Sequence, residues 1–201
     1  MARRKDQGAR RLQLRGAAQR AIVTRGADAV RVKDIALEAG LSSQSVLYYY
    51  PDIDDLIEEA IRHSIERFSE RRAALADSIH DPREQLVATI RAGFPTGPED
   101  DDLRVLYESS AYFGKNPVMG ALIRALTASQ VELYRRILEV GHAVGAFELA
   151  DESRAIARNL VALEDAYGLY IISGAPIHEE AIDLVLGYAS LATRRELTLS
   201  P

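Results

Sequence analysis

The sequence predicts an all-α protein of about nine helices. Apolar residues recur at spacings of three and four along most of the chain, which is the period of an amphipathic helix. No apolar run alternates strictly with polar residues, and no Asn-Gly or Asp-Gly pair offers a hairpin turn. With 47% hydrophobic and 27% charged residues over 201 positions, the chain has the composition of an ordinary globular protein.

Glycine and proline residues divide this helical pattern into segments. They end helices or begin turns at Gly26, Gly40 and Pro51, and later in the stretches 81–82, 94–98, 114–117 and 174–176, with a further break at Gly145. The helices are therefore predicted at 9–25, 33–39, 43–50, 53–78, 82–93, 101–113, 117–144, 151–173 and 177–196.

Charge is unevenly distributed along the chain. Residues 1–50 carry ten Lys and Arg against four Asp and Glu, whereas the remaining 151 residues carry 15 Lys and Arg against 26 Asp and Glu. A basic first quarter joined to an acidic remainder favours contact of the first part with a polyanion. The alternative is a basic, solvated N-terminal arm without a partner.

Several classes of function are excluded by what the sequence lacks. Without cysteine, disulfides, thiolate metal sites and thiol catalysis are excluded. The four histidines have no metal-ligand spacing, and no nucleotide-binding or nucleophile-elbow motif occurs. We therefore expect no metal, no cofactor and no catalytic residues. No apolar run approaches the roughly 18 residues of a membrane span, and no signal peptide is evident, so we expect a cytoplasmic protein with no membrane partner.

The segment 32–51 is typical of a helix-turn-helix. Ile35, Ala36 and Ala39 give a short helix one apolar face, and Gly40 ends it where a left-handed backbone is needed. Ser42 is predicted to cap a second short helix, whose inward residues are Val46 and Tyr50. The small polar residues 43–45 open this second helix, as in recognition helices that enter the major groove. The alternative is a solvated first turn.

These residues resemble the TetR family of bacterial transcriptional repressors. The resemblance covers residues 9–60 and rests on Ile35-Ala36, Ala39 to Ser42, Tyr48 to Tyr50, Asp54 to Ile57, and on Ala17, Ala18, Ile22, Gly26 and residues 27–30 before them. Residues 106–174, with the turn from Gly141 to Phe147, are similar to members of the family akin to the betaine-pathway repressor.

The resemblance implies a set of DNA-contacting residues. Arg31 and Lys33 are expected to touch the backbone or a base, and Tyr49 a phosphate. The full set is Arg31, Lys33, Ser42, Ser43, Gln44, Ser45, Tyr48 and Tyr49. The chain departs from the family at Leu47, where Tyr is usual, and at Ile53, where Lys is common. The basic arm is expected to offset these two lost phosphate contacts, through Arg3, Arg4, Lys5, Arg10 and Arg11.

The resemblance also implies that the second half binds a small-molecule effector. Glu164 and Asp165 are the only charged residues in the apolar stretch 160–172, and adjacent helical residues point about 100° apart, so at most one of them faces a cavity. We favour Glu164. The other candidates are Tyr107, Glu108, Tyr112, Asn116, Tyr134, His142, Tyr167 and Gly168. Tyrosines beside carboxylates suit a cationic or amine-bearing ligand. The alternatives are that the tyrosines belong to an ordinary core and that Asp165 pairs across a dimer interface.

The last two helices are expected to form a four-helix bundle with their symmetry mates. Their apolar stripes are Ile156, Leu160, Leu163, Tyr167 and Tyr170 on one, and Ile182, Val185, Ala189 and Ala192 on the other, with Leu184, Leu186 and Leu191 off the second stripe. Small Ala189 and Ala192 permit close helix approach. The alternative is that both stripes pack within one subunit.

The sequence as a whole predicts two domains and a regulatory function. Residues 1–52 are expected to form a three-helix DNA-binding domain, and residues 53–201 a larger helical domain for effector binding and dimerisation. The predicted function is that of a ligand-responsive regulator, a repressor that binds a palindromic double-stranded operator as a homodimer. The alternative is a small all-α binding protein or enzyme that does not bind DNA.

Overall fold

The computed structural model describes residues 2–97 and 100–198, with side chains from residue 7 onward. This part of the chain confirms the all-α fold and contains ten helices and no strand. The side chains of Arg3, Arg4 and Lys5 lie outside the described residues. The helices are α1 (Ala2–Arg25), α2 (Val32–Ala39), α3 (Ser43–Tyr49), α4 (Ile53–Ser78), α5 (Pro82–Gly93), α6 (Asp101–Glu108), α7 (Ser110–Lys115), α8 (Pro117–Ala143), α9 (Ser153–Ile172) and α10 (His178–Thr193).

The tenth helix arises because the predicted helix at 101–113 is two helices. The backbone departs from helical geometry at Ser109, with φ −94° and ψ 1°. The Glu108 carbonyl accepts a hydrogen bond at 3.1 Å from the N–H of Ala27, which lies in the turn after α1. A contact from a distant part of the chain therefore accompanies the break, and periodicity does not reveal it. None of the described helices has the length and apolarity that crossing a bilayer requires.

Contacts along the chain group it into two compact units. Unit 1 contains residues 1–67 and 101–123, and unit 2 contains residues 68–100 and 124–201. This grouping places α6 and α7 with the N-terminal helices, because Arg104 donates to the Val23 carbonyl at 3.3 Å and Asn116 to Glu58 at 2.6 Å. The functional boundary between residues 52 and 53 stays a prediction.

In unit 1 the short helices α2 and α3 are fixed by caps and by a small core. Gly40 has φ 64° and ψ 37°, and the N–H of Leu41 returns to the Ala36 carbonyl at 2.9 Å, which closes α2. The Ser42 hydroxyl accepts the N–H of Ser45 at 3.1 Å, which confirms the predicted N-cap of α3. Val46 is fully buried, so it anchors the inner face of α3 in the core of unit 1.

Unit 2 is built around a core shared by α5, α8, α9 and α10. Asp81 caps α5 by accepting the N–H groups of Arg83 and Glu84, with Pro82 in the first turn. After α8 the chain turns closely, and a Cβ at Gly141 would collide with the ring of Phe147. This turn then lies along α10, where Glu148 and Ala150 donate backbone hydrogen bonds to carbonyls of that helix.

The apolar stripe predicted on α10 is buried within the chain itself. Ile182, Val185, Ala189 and Ala192 are all in the core of unit 2, so the two small alanines serve packing inside one subunit. A different surface stays exposed. On α9 it contains Ala162, Ala166, Leu169 and Tyr170, and on α10 it contains Leu184, Gly187 and Leu191.

Replacing Gly40 with alanine should lower the free energy of unfolding by about 1–2 kcal/mol, because an L side chain is strained in the left-handed conformation. Urea unfolding followed by circular dichroism measures the change. The control is Gly8→Ala on α1, where a Cβ meets nothing. Alanine there should raise stability by about 0.5–1 kcal/mol, as in any helix interior. Equal effects of the two substitutions would contradict a required left-handed turn at Gly40.

Candidate nucleic-acid interface and buried charged cluster

The solvent face of α3 presents a compact polar and aromatic surface. Gln44, Leu47 and Tyr48 are exposed and share this face at spacings of three and four residues. Ser42 is also exposed, while Ser43, Ser45 and Tyr49 are half-buried. The rings of Tyr48 and Tyr49 meet edge to face at 5.1 Å. The structure thus brings the predicted residues of α3 together on one short helix.

The end of α3 is tied to α1. Arg11 donates to the Tyr49 carbonyl at 3.2 Å, and its guanidinium lies 4.7 Å above the ring of Tyr50. The Tyr50 hydroxyl donates to Glu59 at 2.8 Å, and burial together with this carboxylate raises the pKa of Tyr50 to about 12. Gln13 holds the end of α2 through the Ala39 carbonyl at 2.9 Å. These contacts fix the orientation of α3 in unit 1.

Within residues 1–50, each acidic side chain that the structure describes is paired with a basic residue. Asp28 pairs with Lys115, Asp34 with Arg25 and Glu38 with Arg20, at 2.6 to 3.0 Å. Asp6 is outside the residues whose side chains are described. The predicted contacts Arg31 and Lys33 are both exposed at the start of α2. The guanidinium of Arg31 donates to the carbonyls of Asp28 and Val30, so it is partly oriented by the turn before α2.

Unit 2 contains a fully buried charged cluster centred on Arg72. Its guanidinium donates to Glu164 at 2.6 Å, to the Tyr134 hydroxyl at 2.6 Å and to Gln130 at 2.7 Å. It also donates to the Thr89 carbonyl at 3.2 and 3.0 Å. The Tyr134 hydroxyl is hydrogen bonded to Glu164 as well. Glu164, which the sequence predicts to face an effector cavity, is buried and paired with an arginine that sequence reasoning missed, and its contact with an effector stays a prediction.

A signal for Arg72 exists in the sequence of α4. Arg72 lies four residues from both Phe68 and Ala76, so it occupies the apolar stripe of the helix, and both neighbours are buried. A charge in such a stripe requires a buried partner of opposite sign. Glu164, alone on the apolar face of α9, also requires a buried partner of opposite sign. The two residues could therefore have been predicted to form an ion pair.

Burial dominates the proton affinity of the carboxylate. Desolvation raises the pKa of Glu164 to about 7, since it outweighs the attraction of Arg72 and the hydrogen bond from Tyr134. Burial also raises the pKa of Tyr134 well above its usual value. The charge of the Arg72 to Glu164 pair therefore depends on pH near neutrality.

The other predicted effector residues are divided between the two units. In unit 1, Tyr107 and Glu108 are half-buried on α6, and Asn116 donates to the hydroxyl of buried Tyr112 at 3.4 Å. The Asn116 side chain also caps α8 through the N–H groups of Val118 and Met119. These polar groups of Asn116 already serve the fold.

In unit 2 the remaining predicted residues surround the cluster only in part. Tyr134 and Glu164 are in direct contact. Gly168 is buried one turn after Glu164, while half-buried Tyr167 packs edge to face on Tyr170 at 6.3 Å. His142 is exposed near the end of α8, with its Nδ1 3.3 Å from the Phe147 carbonyl. The described residues contain no group of three or more His, Asp or Glu arranged to hold a metal ion.

A groove of about 310 Å³ adjoins the cluster between α4 and α8. Its volume is at the lower end of the range of small-molecule sites. Gln130 lines the groove and also accepts from Arg72, so this amide connects the groove to the buried pair. The lining residues are Ser69, Ala73, Ser129, Gln130, Glu132, Leu133 and Arg136.

The stability of Glu164→Gln relative to the wild type should depend on pH. The folded protein binds the Glu164 proton more tightly than the unfolded chain, in which the pKa is near 4.5. The stabilisation that comes from this tighter proton binding is fully present below pH 4.5 and is lost as the pH rises through about 7. The wild type should therefore lose stability relative to Glu164→Gln between pH 5 and pH 8, measured by urea unfolding at each pH.

The control for this titration is Glu132→Gln. Glu132 is exposed, and its hydrogen bond with Arg135 lowers its pKa, so it titrates below this pH range. The stability difference between this variant and the wild type should stay constant from pH 5 to pH 8. A constant difference for Glu164→Gln as well would contradict the raised pKa of the buried carboxyl.

Comparison with known proteins identifies the architecture of these two units. The family model "Bacterial regulatory proteins, tetR family" matches residues 14–60, which contain α2, α3 and the start of α4. The HTH-type transcriptional regulator BetI of Brucella anthropi is 31% identical over 195 residues, covering 90% of this chain and 92% of the relative. The similarity therefore extends well beyond the helix-turn-helix.

Solved structures show the same fold. A putative transcriptional regulator from Saccharomonospora viridis, in complex with choline, has a TM-score of 0.81 and 25% identity, covering 90% of this chain and 95% of that one. A putative TetR-family regulator from Rhodococcus sp. has a TM-score of 0.79 and 22% identity over 92% of this chain and 99% of the other. The second likeness concerns the fold alone. Together the comparisons confirm the resemblance stated from the sequence.

Proposed function

Because the chain belongs to the TetR family of bacterial regulatory proteins, we propose that it is a ligand-responsive transcriptional repressor that binds a palindromic operator as a homodimer. The observation that carries the proposal is the exposed face of α3, which a left-handed Gly40 and a Ser42 cap position after α2. Residues 1–52 bind DNA, and residues 53–201 bind the effector and form the dimer. Since such a regulator acts on the chromosome, we place it in the cytoplasm and assign it no catalytic role.

The DNA contacts follow from the chemistry of the exposed side chains. Gln44 has an amide that pairs with the edge of adenine, and its exposure on the first turn of α3 suits contact with a base. Tyr49, at the end of α3, contacts a phosphate. Arg31 and Lys33 supply positive charge at the start of α2. The serines at 42, 43 and 45 and Tyr48 complete the surface.

The effector is a cationic or amine-bearing small molecule. Glu164 and Tyr134 combine a carboxylate, a hydroxyl and an aromatic ring within one buried cluster, which is the chemistry that attracts an ammonium group. The regulator from Saccharomonospora viridis, 25% identical to this chain, binds choline, a quaternary ammonium compound. Tyr167 and Gly168 follow Glu164 on α9. The residues proposed in unit 1 are Tyr107, Glu108, Tyr112 and Asn116, and His142 is the remaining member of the set.

The dimer forms through the exposed apolar surface of α9 and α10. Ala162, Ala166 and Leu169 follow one another at spacings of four and three on α9, while Leu184 and Leu191 lie two turns apart on α10. Gly187 lies between these two leucines, and a Cβ there would meet nothing. Small residues beside exposed leucines permit close approach of a second pair of helices. Two copies of this surface would complete a four-helix bundle.

Replacing Gln44 with alanine should relax the base preference at one operator position by about 1–3 kcal/mol, because one bidentate base contact is lost. Tyr49→Phe should instead weaken binding to all sequences alike. The operator is first recovered by selection from a randomised duplex pool, and fluorescence anisotropy then measures binding to it and to its single-base variants at several salt concentrations. Wild-type binding should fall steeply as salt rises.

The control is Gln85→Ala, since Gln85 lies on α5 in unit 2 and its amide donates to the Ala76 carbonyl. This variant should bind the operator and its base variants as the wild type does. If Gln44→Ala and Tyr49→Phe weakened every sequence equally, Gln44 would not contact a base. If the wild type bound no duplex in a salt-dependent way, the chain would be a helical binding protein without DNA function.

The double substitution Leu184→Glu and Leu191→Glu should convert the dimer to a monomer at micromolar concentration, because two charges would be buried against a like surface. Multi-angle light scattering measures the molar mass. The control is Leu37→Glu on α2, an exposed leucine in unit 1. That variant should stay dimeric. A monomeric wild type would refute the proposed bundle.

A further inference from the structure

We infer that Arg72 occupies a cation site built by unit 2, so that a cationic effector binds there only by displacing the chain's own guanidinium. This inference rests on the proposed function, since it assumes an effector with a positive charge. In this inference the side chain of Arg72 competes with the effector for the same site, so the buried ion pair is an autoinhibitory contact. The ligand class is a quaternary ammonium or a guanidinium.

The surroundings of Arg72 have the composition of a cation-binding cage. The carbon of its guanidinium lies 5.0 Å from the centre of the Tyr134 ring and 5.7 Å from that of Phe68. Both distances are within the roughly 6 Å at which an aromatic face attracts a cation. Glu164 supplies the negative charge at 2.6 Å. Two aromatic rings and one carboxylate are the groups that recognise ammonium ligands in aromatic cages.

The cage holds one cation at a time. A Cβ at Gly93 would collide with the Glu164 carboxylate and would lie 2.7 Å from Nη2 of Arg72, so on the side of α5 not even one methyl group fits beside the pair. A second positive charge in the same buried site would also repel the first. Entry of a ligand cation therefore requires that the guanidinium leave.

A route for this exchange is present beside the cage. Ser69 and Ala73 precede and follow Arg72 on α4 and line the groove of about 310 Å³. Gln130 also lines it and accepts from Nη1 of Arg72 at 2.7 Å. Rotation of the Gln130 amide would open the cage toward the groove, and the guanidinium would leave by the same side.

The position of Arg72 on α4 gives the exchange a consequence for DNA binding. Helix α4 begins at Ile53, four residues after α3 ends at Tyr49. Release of Arg72 removes hydrogen bonds that hold α4 to α5, α8 and α9 in unit 2. A bound cation thus alters the restraints on the helix that follows the recognition helix. Couplings between two binding sites of this kind typically change affinity five- to 150-fold.

The test compares tetramethylammonium binding by four proteins: wild type, Arg72→Met, the double variant Arg72→Met with Glu164→Gln, and the control Arg71→Met. Arg71 is the exposed neighbour of Arg72 on the same helix. Isothermal titration calorimetry should show at least tenfold tighter binding by Arg72→Met than by the wild type or the control. The double variant should lose this gain, because the carboxylate is gone.

A rescue experiment uses methylguanidinium, which replaces the missing side-chain group. It should raise the melting temperature of Arg72→Met but not that of the double variant. Urea, a neutral molecule of similar shape, should raise the melting temperature of neither variant. If Arg72→Met does not fold, Arg72→Lys keeps a positive charge in the cage but makes fewer hydrogen bonds there, so it should bind tetramethylammonium more tightly than the wild type does, and equal affinity would overturn the inference. In the wild type, the Nε–H proton of Arg72 should also exchange faster with solvent when tetramethylammonium binds, which NMR of the ¹⁵Nε–H group measures.

Equal tetramethylammonium affinity in wild type and Arg72→Met would overturn the inference while leaving a cationic effector in place elsewhere. Tightened binding that survives Glu164→Gln would overturn it as well, since the cage would not be the site. Unchanged protection of the Arg72 Nε–H at saturating ligand would do the same. Failure of the proposed function is seen separately, as absence of salt-dependent operator binding by the wild type.

Discussion

The ion pair between Arg72 and Glu164 is the constraint on which unit 2 depends. Two charges withdrawn from water are stabilised only when their remaining hydrogen-bonding groups also find partners, and removing one member of such a pair typically costs about 3–5 kcal/mol. Here Tyr134 and Gln130 of α8 and the Thr89 carbonyl of α5 complete the set. One guanidinium therefore fixes α4 relative to α5, α8 and α9. Gly93 is needed because any side chain there would displace the carboxylate.

In unit 1 the proposed functional groups must stay exposed, in contrast to the buried charged groups of unit 2. Its short helices are held mainly by backbone caps and by a core that includes Ile35 and Val46, which leaves the polar face of α3 free. Residues 1–50 carry ten Lys and Arg against four Asp and Glu, and the three acidic side chains described in this stretch, Asp28, Asp34 and Glu38, are paired with lysine or arginine. Unit 1 therefore combines local caps with a small core, whereas unit 2 adds a buried charged network to a larger apolar core.

This difference explains what the sequence could and could not predict. The turn at Gly40 and the cap at Ser42 follow from neighbouring residues, and both were predicted correctly. Glu164 was predicted to face an effector cavity, because a carboxylate on an apolar helix is a local signal, and the structure shows it buried. Its partner Arg72 lies 92 residues away, and nothing local links the two. The break at Ser109 and the burial of Ala189 and Ala192 likewise depend on distant segments, so periodicity gave one helix too few and assigned those alanines to the dimer surface.

Helix α9 joins the two properties that a regulated dimer needs. Its inner face carries Glu164 and its outer face carries Ala162, Ala166 and Leu169, so ligand chemistry and proposed subunit contact lie on opposite sides of one helix. Glu164 and Asp165 are adjacent but point about 100° apart, which places one inside and the other in solvent. Because Glu164 contacts Arg72 of α4 and Tyr134 of α8, a change at the inner face of α9 would alter its packing on both helices, and close-packed interiors transmit such strain. Under the two proposals, exchange of the cation in the Arg72 cage would reach the dimer surface through α9, without any contact between the ligand and the second subunit.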